Sequence, residues 1–132
     1  MRSTQTRVVC CAVAVGLALL AGSRVSAQGD PAAGQTVFNQ KCASCHPVTP
    51  DMAHGLQGPN LVGVAGRAAA SAPGWDFTAA LKESKLIWTD ENLHKWLTDP
   101  QALVPKTEMA LKVPSRLERE DLIGYLATLK AK

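Results

Sequence analysis

The chain of 132 residues predicts an all-α domain with long loops, and three observations carry that prediction. Its C-terminal stretch places Leu122, Tyr125, Leu126 and Leu129 on one helical stripe behind a cap signal at Ser115. Its middle is crowded with turn formers. No segment alternates apolar and polar residues with the period of two that a half-buried strand needs.

The helices follow in chain order. Asp30-Pro31 reads as an acidic cap with proline at the first helical position, and the residues to about Lys41 are helix-compatible. Gly34 and Phe38 lie four apart on one face of this helix. A glycine there costs up to about 1 kcal/mol against alanine, so it asks for a reason such as the close approach of another helix. Thr89-Asp90-Glu91 caps a second helix, with Leu93, Trp96 and Leu97 as its apolar face and Pro100 as its end. In the third, Ser115-Arg116-Leu117-Glu118 fits a capping box, acidic residues crowd the start, and Lys130 and Lys132 follow the end, as the helix dipole favours. Between them, Pro47, Pro50, Gly55, Gly58-Pro59-Asn60-Leu61, Gly63 and Gly66 predict an ordered loop wrapped around something. A second loop, Pro100 to Pro114, contains Met109. There is no internal repeat beyond a small-residue stretch from Ala65 to Ala72.

Ahead of the helices stand Arg2 and Arg7, an apolar run from Val8 to about Gly22, and the small residues Val25-Ser26-Ala27. This pattern predicts a secretory signal peptide over residues 1–27, cleaved after Ala27. The run falls short of the ~20 apolar residues that a spanning helix needs, which counts against an uncleaved anchor. Cys10 and Cys11 sit inside the run, away from its small-residue end, and read as passengers. Cleavage leaves one domain, residues 28–132, which buries a modest fraction of its surface unless something enlarges the core. That domain keeps only Cys42 and Cys45, so no disulfide framework supports it. It carries 11 basic and 11 acidic residues, so the net +3 of the whole chain belongs to the signal. Nothing in it supports nucleic-acid binding.

The chemistry concentrates at Cys42-Ala43-Ser44-Cys45-His46. Two thiols three positions apart, followed at once by an imidazole, can bond to the two vinyl-derived carbons of a haem while the histidine reaches the iron. Two plainer readings compete. A structural zinc site needs four nitrogen or sulfur ligands, and beyond His46 only His54 and His94 follow, with no further cysteine. A thioredoxin-like pair would follow a buried strand, and none is visible upstream. For a second iron ligand the residues leave Met52 and Met109, because Met1 is the initiator; methionine is more often gap-filling core than a ligand.

The order and gaps of Cys42 to His46, Gly58 to Leu61, Gly66-Arg67, Ala72-Pro73-Gly74, Trp88, Pro105 with Thr107 and Met109, and Arg119 to Leu126 resemble a class I c-type cytochrome. The likeness is to the mitochondrial type and its short bacterial relatives. It implies the cytochrome c fold, with three main helices, short ones and long loops around one covalently attached haem c. It implies that Gly34 and Phe38 pack on Leu122 and Tyr125, that the Pro59 carbonyl accepts the ring N–H of His46, and that Met109 is the distal ligand. Arg67 would lie near the propionates, Trp88 would donate its indole N–H to one, and Thr107 would hydrogen-bond in the distal pocket. Their plain alternatives are a solvated arginine, an ordinary core tryptophan and a loop threonine.

There are departures. Phe77, Trp96 and Leu81 stand where tyrosines and an asparagine are common, each removing or altering a polar group. Glu108 stands beside Met109 where lysine is common, so the ring of positive charge is thin and partner choice does not carry over. The resemblance implies a periplasmic, monomeric one-electron carrier cycling Fe(II)/Fe(III). It would be no enzyme, would have no small-molecule substrate, and would serve redox protein partners in respiratory, photosynthetic or dehydrogenase complexes. The alternatives are a dedicated electron-accepting subunit of a periplasmic dehydrogenase, or a haem peroxidase, which would need an open sixth position.

Overall fold

The computed structural model describes residues 29–131; the predicted signal peptide and its cleavage point lie outside the described residues. Helix α1 (Pro31–Lys41) starts as expected, with the Asp30 carboxylate accepting the Ala32 N–H at 2.8 Å. Helix α5 (Arg116–Thr128) starts where the Ser115 hydroxyl accepts the Glu118 N–H at 3.3 Å. Only that half of the capping box forms. The Glu118 carboxylate turns instead toward Lys41 of α1, at 3.6 Å. The helix also stops at Thr128, so Leu129 caps it and Lys130 lies past its last turn.

The crossing of α1 and α5 is the frame of the domain. A Cβ on Gly34 would sit 1.9 Å from the Asp121 carbonyl oxygen and 2.8 Å from Tyr125 Cβ, which explains the helical glycine. Phe38 packs beside Tyr125 with ring centroids 5.5 Å apart, and both Phe38 and Leu122 are buried. The expected packing of Gly34 and Phe38 on the last helix is therefore present. A second close approach was not foreseen. A Cβ on Gly124 would meet the Gly29 carbonyl oxygen at 2.6 Å, and the buried Asp121 carboxylate accepts the Asp30 N–H at 2.8 Å.

Helix α3 (Asp90–Thr98) has the predicted cap, Thr89, and buries the predicted face of Leu93, Trp96 and Leu97. Pro100 does more than end it. Asp99-Pro100 repeats the start signal of Asp30-Pro31, and a short helix α4 (Pro100–Leu103) forms inside the expected loop, capped by Asp99 on the Ala102 N–H. Another short helix, α2 (Ala79–Glu83), begins behind Thr78 in a stretch too brief for periodicity to reveal. Among the described residues, β structure is limited to isolated bridges, one of them Ala68 to Ile87. Around it Trp88 N–H donates to the Arg67 carbonyl at 2.9 Å, and Gly66 N–H to the Trp88 carbonyl at 2.9 Å, which brings Arg67 and Trp88 side by side. No described helix is long and apolar enough to cross a membrane.

Candidate functional site

The helices and the two long loops enclose a cavity of about 340 Å³. Its walls are mostly apolar, with Phe38, Leu81, Leu93, Leu97, Leu122 and Leu126 among them. All of the residues singled out in the sequence reach it: Cys42, Cys45, His46, Pro59, Arg67, Trp88, Thr107 and Met109. Met52 and His54 do not, and Met52 is half exposed. Of the two methionines the sequence left open, Met109 alone belongs to the cavity.

The His46 side is built locally. After α1 the chain turns, with the Cys45 and His46 N–H groups both donating to the Cys42 carbonyl at 3.0 Å. His46 Nδ1 lies 2.9 Å from the Pro59 carbonyl oxygen. A carbonyl can only accept, so Nδ1 carries the proton and Nε2 keeps a free lone pair. Gly58 makes room for the ring, since a Cβ there would stand 2.4 Å from His46 Cε1 and 2.6 Å from Nδ1. Burial lowers the His46 pKa, with the Pro59 bond opposing it in part, which favours the neutral imidazole that a metal ligand needs. Asn60 ties the intervening loop together, donating to the Thr49 and Met52 carbonyls and accepting the Val62 N–H at 2.8 Å.

Both thiols are free. Burial, reinforced by the neighbouring Cys45, pushes the Cys42 thiol up to about 11. Cys45 is half-buried and its Sγ lies 3.3 Å from the Gln57 side-chain oxygen.

The Met109 side is assembled from a loop and two helices. Thr107 N–H donates to the Val104 carbonyl at 3.2 Å across Pro105 and Lys106, and Lys106 takes φ +71°, which makes a type II turn. Gln101 Nε2 donates to the Thr107 carbonyl at 3.4 Å, and Trp96 Nε1 donates to Met109 Sδ at 3.2 Å. Thr107 is buried, and its backbone rather than its hydroxyl makes these bonds. The sequence marks Trp96 as a member of the apolar face of α3 and as a departure from a pattern; no spacing links it to Met109.

Arg67 donates from Nη1 to the Val62 carbonyl at 3.0 Å and from Nη2 to the Asn60 carbonyl at 3.2 Å. Its Nε is buried with no partner, and burial pulls the guanidinium pKa down. A cation with an orphaned N–H in a cavity wall suits an anionic oxygen beside it. Two free thiols, a neutral imidazole, a thioether and this cation fit a haem with its carboxylates.

A small helical domain closed around an apolar cavity that carries a C-x-x-C-H run defines a class of protein built to hold a covalent prosthetic group. The comparisons narrow that class. The cytochrome c family pattern matches residues 31–130. "Cytochrome c2 iso-1" of Rhodospirillum centenum is 41% identical over 117 residues, spanning 76% of this chain and 96% of that one. The solved structure of cytochrome c2 from the same organism superimposes with a TM-score of 0.71 at 37% identity, covering 78% of this chain and all of that one. Cytochrome cH from Methylobacterium extorquens gives a TM-score of 0.69 at 39% identity, over 76% and 99% of the two chains. The chain belongs to the cytochrome c family, as a class I c-type cytochrome with its all-α fold. Members of the family are electron carriers rather than enzymes, act with redox partners, and bind haem c covalently.

Proposed function

We propose that this protein carries single electrons in the periplasm through one haem c, joined to Cys42 and Cys45 and ligated by His46 and Met109. The observation that carries the reading is the bond from His46 Nδ1 to the Pro59 carbonyl at 2.9 Å, which leaves Nε2 free in the cavity that also holds the Met109 sulfur. Bound there, the haem supplies a one-electron Fe(II)/Fe(III) couple. The residues of the chain do the rest. The thiols would tether it, His46 and Met109 would hold its iron, and the apolar walls would exclude water. Arg67, with its unpartnered Nε, would offset the propionates, and Trp88, whose backbone is bonded to that of Arg67 and which lines the same cavity, would donate its indole N–H to one. Thioether ligation favours the ferrous state, so the potential lies above that of a bis-histidine site.

The balance of 11 basic and 11 acidic residues after Ala27, with Glu108 beside Met109, fits a redox protein partner met without a lysine ring. The signal pattern supports export and a mature chain that starts at Gln28. The test is a denaturing gel of the periplasmic fraction stained for covalent haem, together with the spectrum and intact mass of the oxidised protein. Haem-stained product starting at Gln28, with a sulfur-to-iron charge-transfer band unmoved by peroxide, is expected. A high-spin spectrum that shifts with peroxide would transfer the protein to haem enzymes, and a colourless band would refute haem attachment.

A further inference from the structure

We propose that the mouth of the cavity beside Cys45 is an apolar, charge-balanced contact surface for a second copy of this chain, where a reduced and an oxidised copy meet and exchange an electron. This rests on the one-electron couple proposed above. The observation that carries it is Leu56, 95% exposed on a turn packed against Cys45.

That turn is firmly held. The Gly55 N–H donates to the Gly58 carbonyl at 2.8 Å across Leu56 and Gln57, and His54 bridges to Pro59. A Cβ on Gly55 would stand 2.2 Å from the Cys45 carbonyl oxygen, and the Gln57 side chain lies 3.3 Å from the Cys45 sulfur. Gln57, Glu108, Ala110 and Leu111 line the cavity and are also exposed, so the cavity opens between this turn and the loop of Met109. A single apolar side chain at a surface is ordinary. Leu56, fixed beside an opening whose other lip carries Leu111 at 38% exposure, offers apolar area that a partner can cover.

The charges around this mouth cancel. Lys41 lies 3.6 Å from Glu118, Lys112 pairs with Asp99, and Lys106 is two residues from Glu108. The chain after Ala27 carries 11 charged residues of each sign. Two copies therefore meet without the repulsion that a ring of like charges would impose, and neither an acidic nor a basic partner is selected. Two leucines and an alanine cover far less than the roughly 1,000 Å² of a lasting interface, so the contact is a brief encounter between monomers. In it the reduced copy gives one electron to the oxidised copy. No bond forms or breaks, no proton moves, and the pair is unchanged in sum.

The test measures electron self-exchange by NMR in mixtures of reduced and oxidised holoprotein at low and high salt. The rate in the parent is expected to change less than about twofold with salt. Leu56→Glu sets like charges on the two meeting surfaces; it should slow exchange about tenfold at low salt, with recovery as salt is added. Leu56→Gln, which adds no charge, should slow it at every salt concentration. Ile87→Glu makes the same change of net charge at an exposed residue that does not line the cavity, and should leave the rate unchanged. A parent rate that climbs steeply with salt would mark a surface that keeps copies apart and suits a partner of opposite charge, and overturns the proposal. So does a Leu56→Gln rate equal to that of the parent, or an Ile87→Glu rate as low as that of Leu56→Glu. A second readout needs no electron transfer: in the fully oxidised protein the amides of residues 55–57 and 110–111 should shift with protein concentration, and shifts confined to other residues overturn the contact. A parent without haem would overturn the proposed function, and this inference with it; any of the other failures in haem-loaded protein overturns this inference alone.

Discussion

The two sides of the cavity are built by opposite means. On the His46 side the cysteines precede the histidine directly, and backbone of the following loop at Gly58 and Pro59 seats its ring. On the Met109 side the sulfur stands on a loop, and its position comes from Trp96 on α3 and from Gln101 on α4 holding the Thr107 carbonyl. One side rests on chain neighbours and loop backbone, the other on side chains carried by helices. Substitutions should therefore damage assembly on the first side and tune properties on the second.

The largest expected effect lies in the frame that both sides share. Gly34→Val would drive a side chain into the Asp121 carbonyl, where even a Cβ falls at 1.9 Å, and should cost about 4 kcal/mol or more. A thermal melt of the holoprotein close to that of the parent would show that the two sides do not depend on the crossing. Next comes Gly58→Ala, which places a Cβ 2.4 Å from the His46 ring and should cost about 1–3 kcal/mol through overpacking. Urea unfolding followed by haem absorbance measures it. Met109→Ala should be milder for the fold yet lower the reduction potential and open the iron to added imidazole. Retention of both the potential and ligand exclusion would move the ligand to Met52 or His54.

The smallest effect is electrostatic and pH-dependent. A hydrogen bond from Lys112 Nζ, 2.5 Å away, is the main influence holding the Asp99 carboxyl below its ordinary value of 3.8, with desolvation opposing in part. A folded-state pKa below the unfolded one contributes stability above the unfolded value, and that contribution disappears as pH falls through the folded value. Asp99→Asn should thus lower the urea midpoint slightly near neutrality, with the gap to the parent closing below pH 3.8. A gap independent of pH would remove the Lys112 contact from the account of how α4 is held.

The same contrast governs what could be read in advance. Caps at Asp30, Thr89 and Ser115, the C-x-x-C-H run and the α5 stripe are local signals, and the structure contains each of those features. Helix α4 was hidden because Asp99-Pro100 ends one helix and starts the next, two roles with one signature. Helix α2 has five residues, too few for a period to show. The bond from the Asp30 N–H to the Asp121 carboxylate and the bond from Trp96 to Met109 join residues 91 and 13 positions apart, and no spacing rule connects them. The resemblance supplied Met109, Pro59 and Gly34; the geometry supplied Trp96.

The buried Cys42 thiol, pushed up to about 11, also bears on when this sulfur can react. At neutral pH such a sulfur is almost entirely protonated, and the protonated form is a poor nucleophile. A chain already wrapped shut would hold this sulfur in its inert form. Under the haem attachment proposed above, tethering through Cys42 would precede closure of the fold.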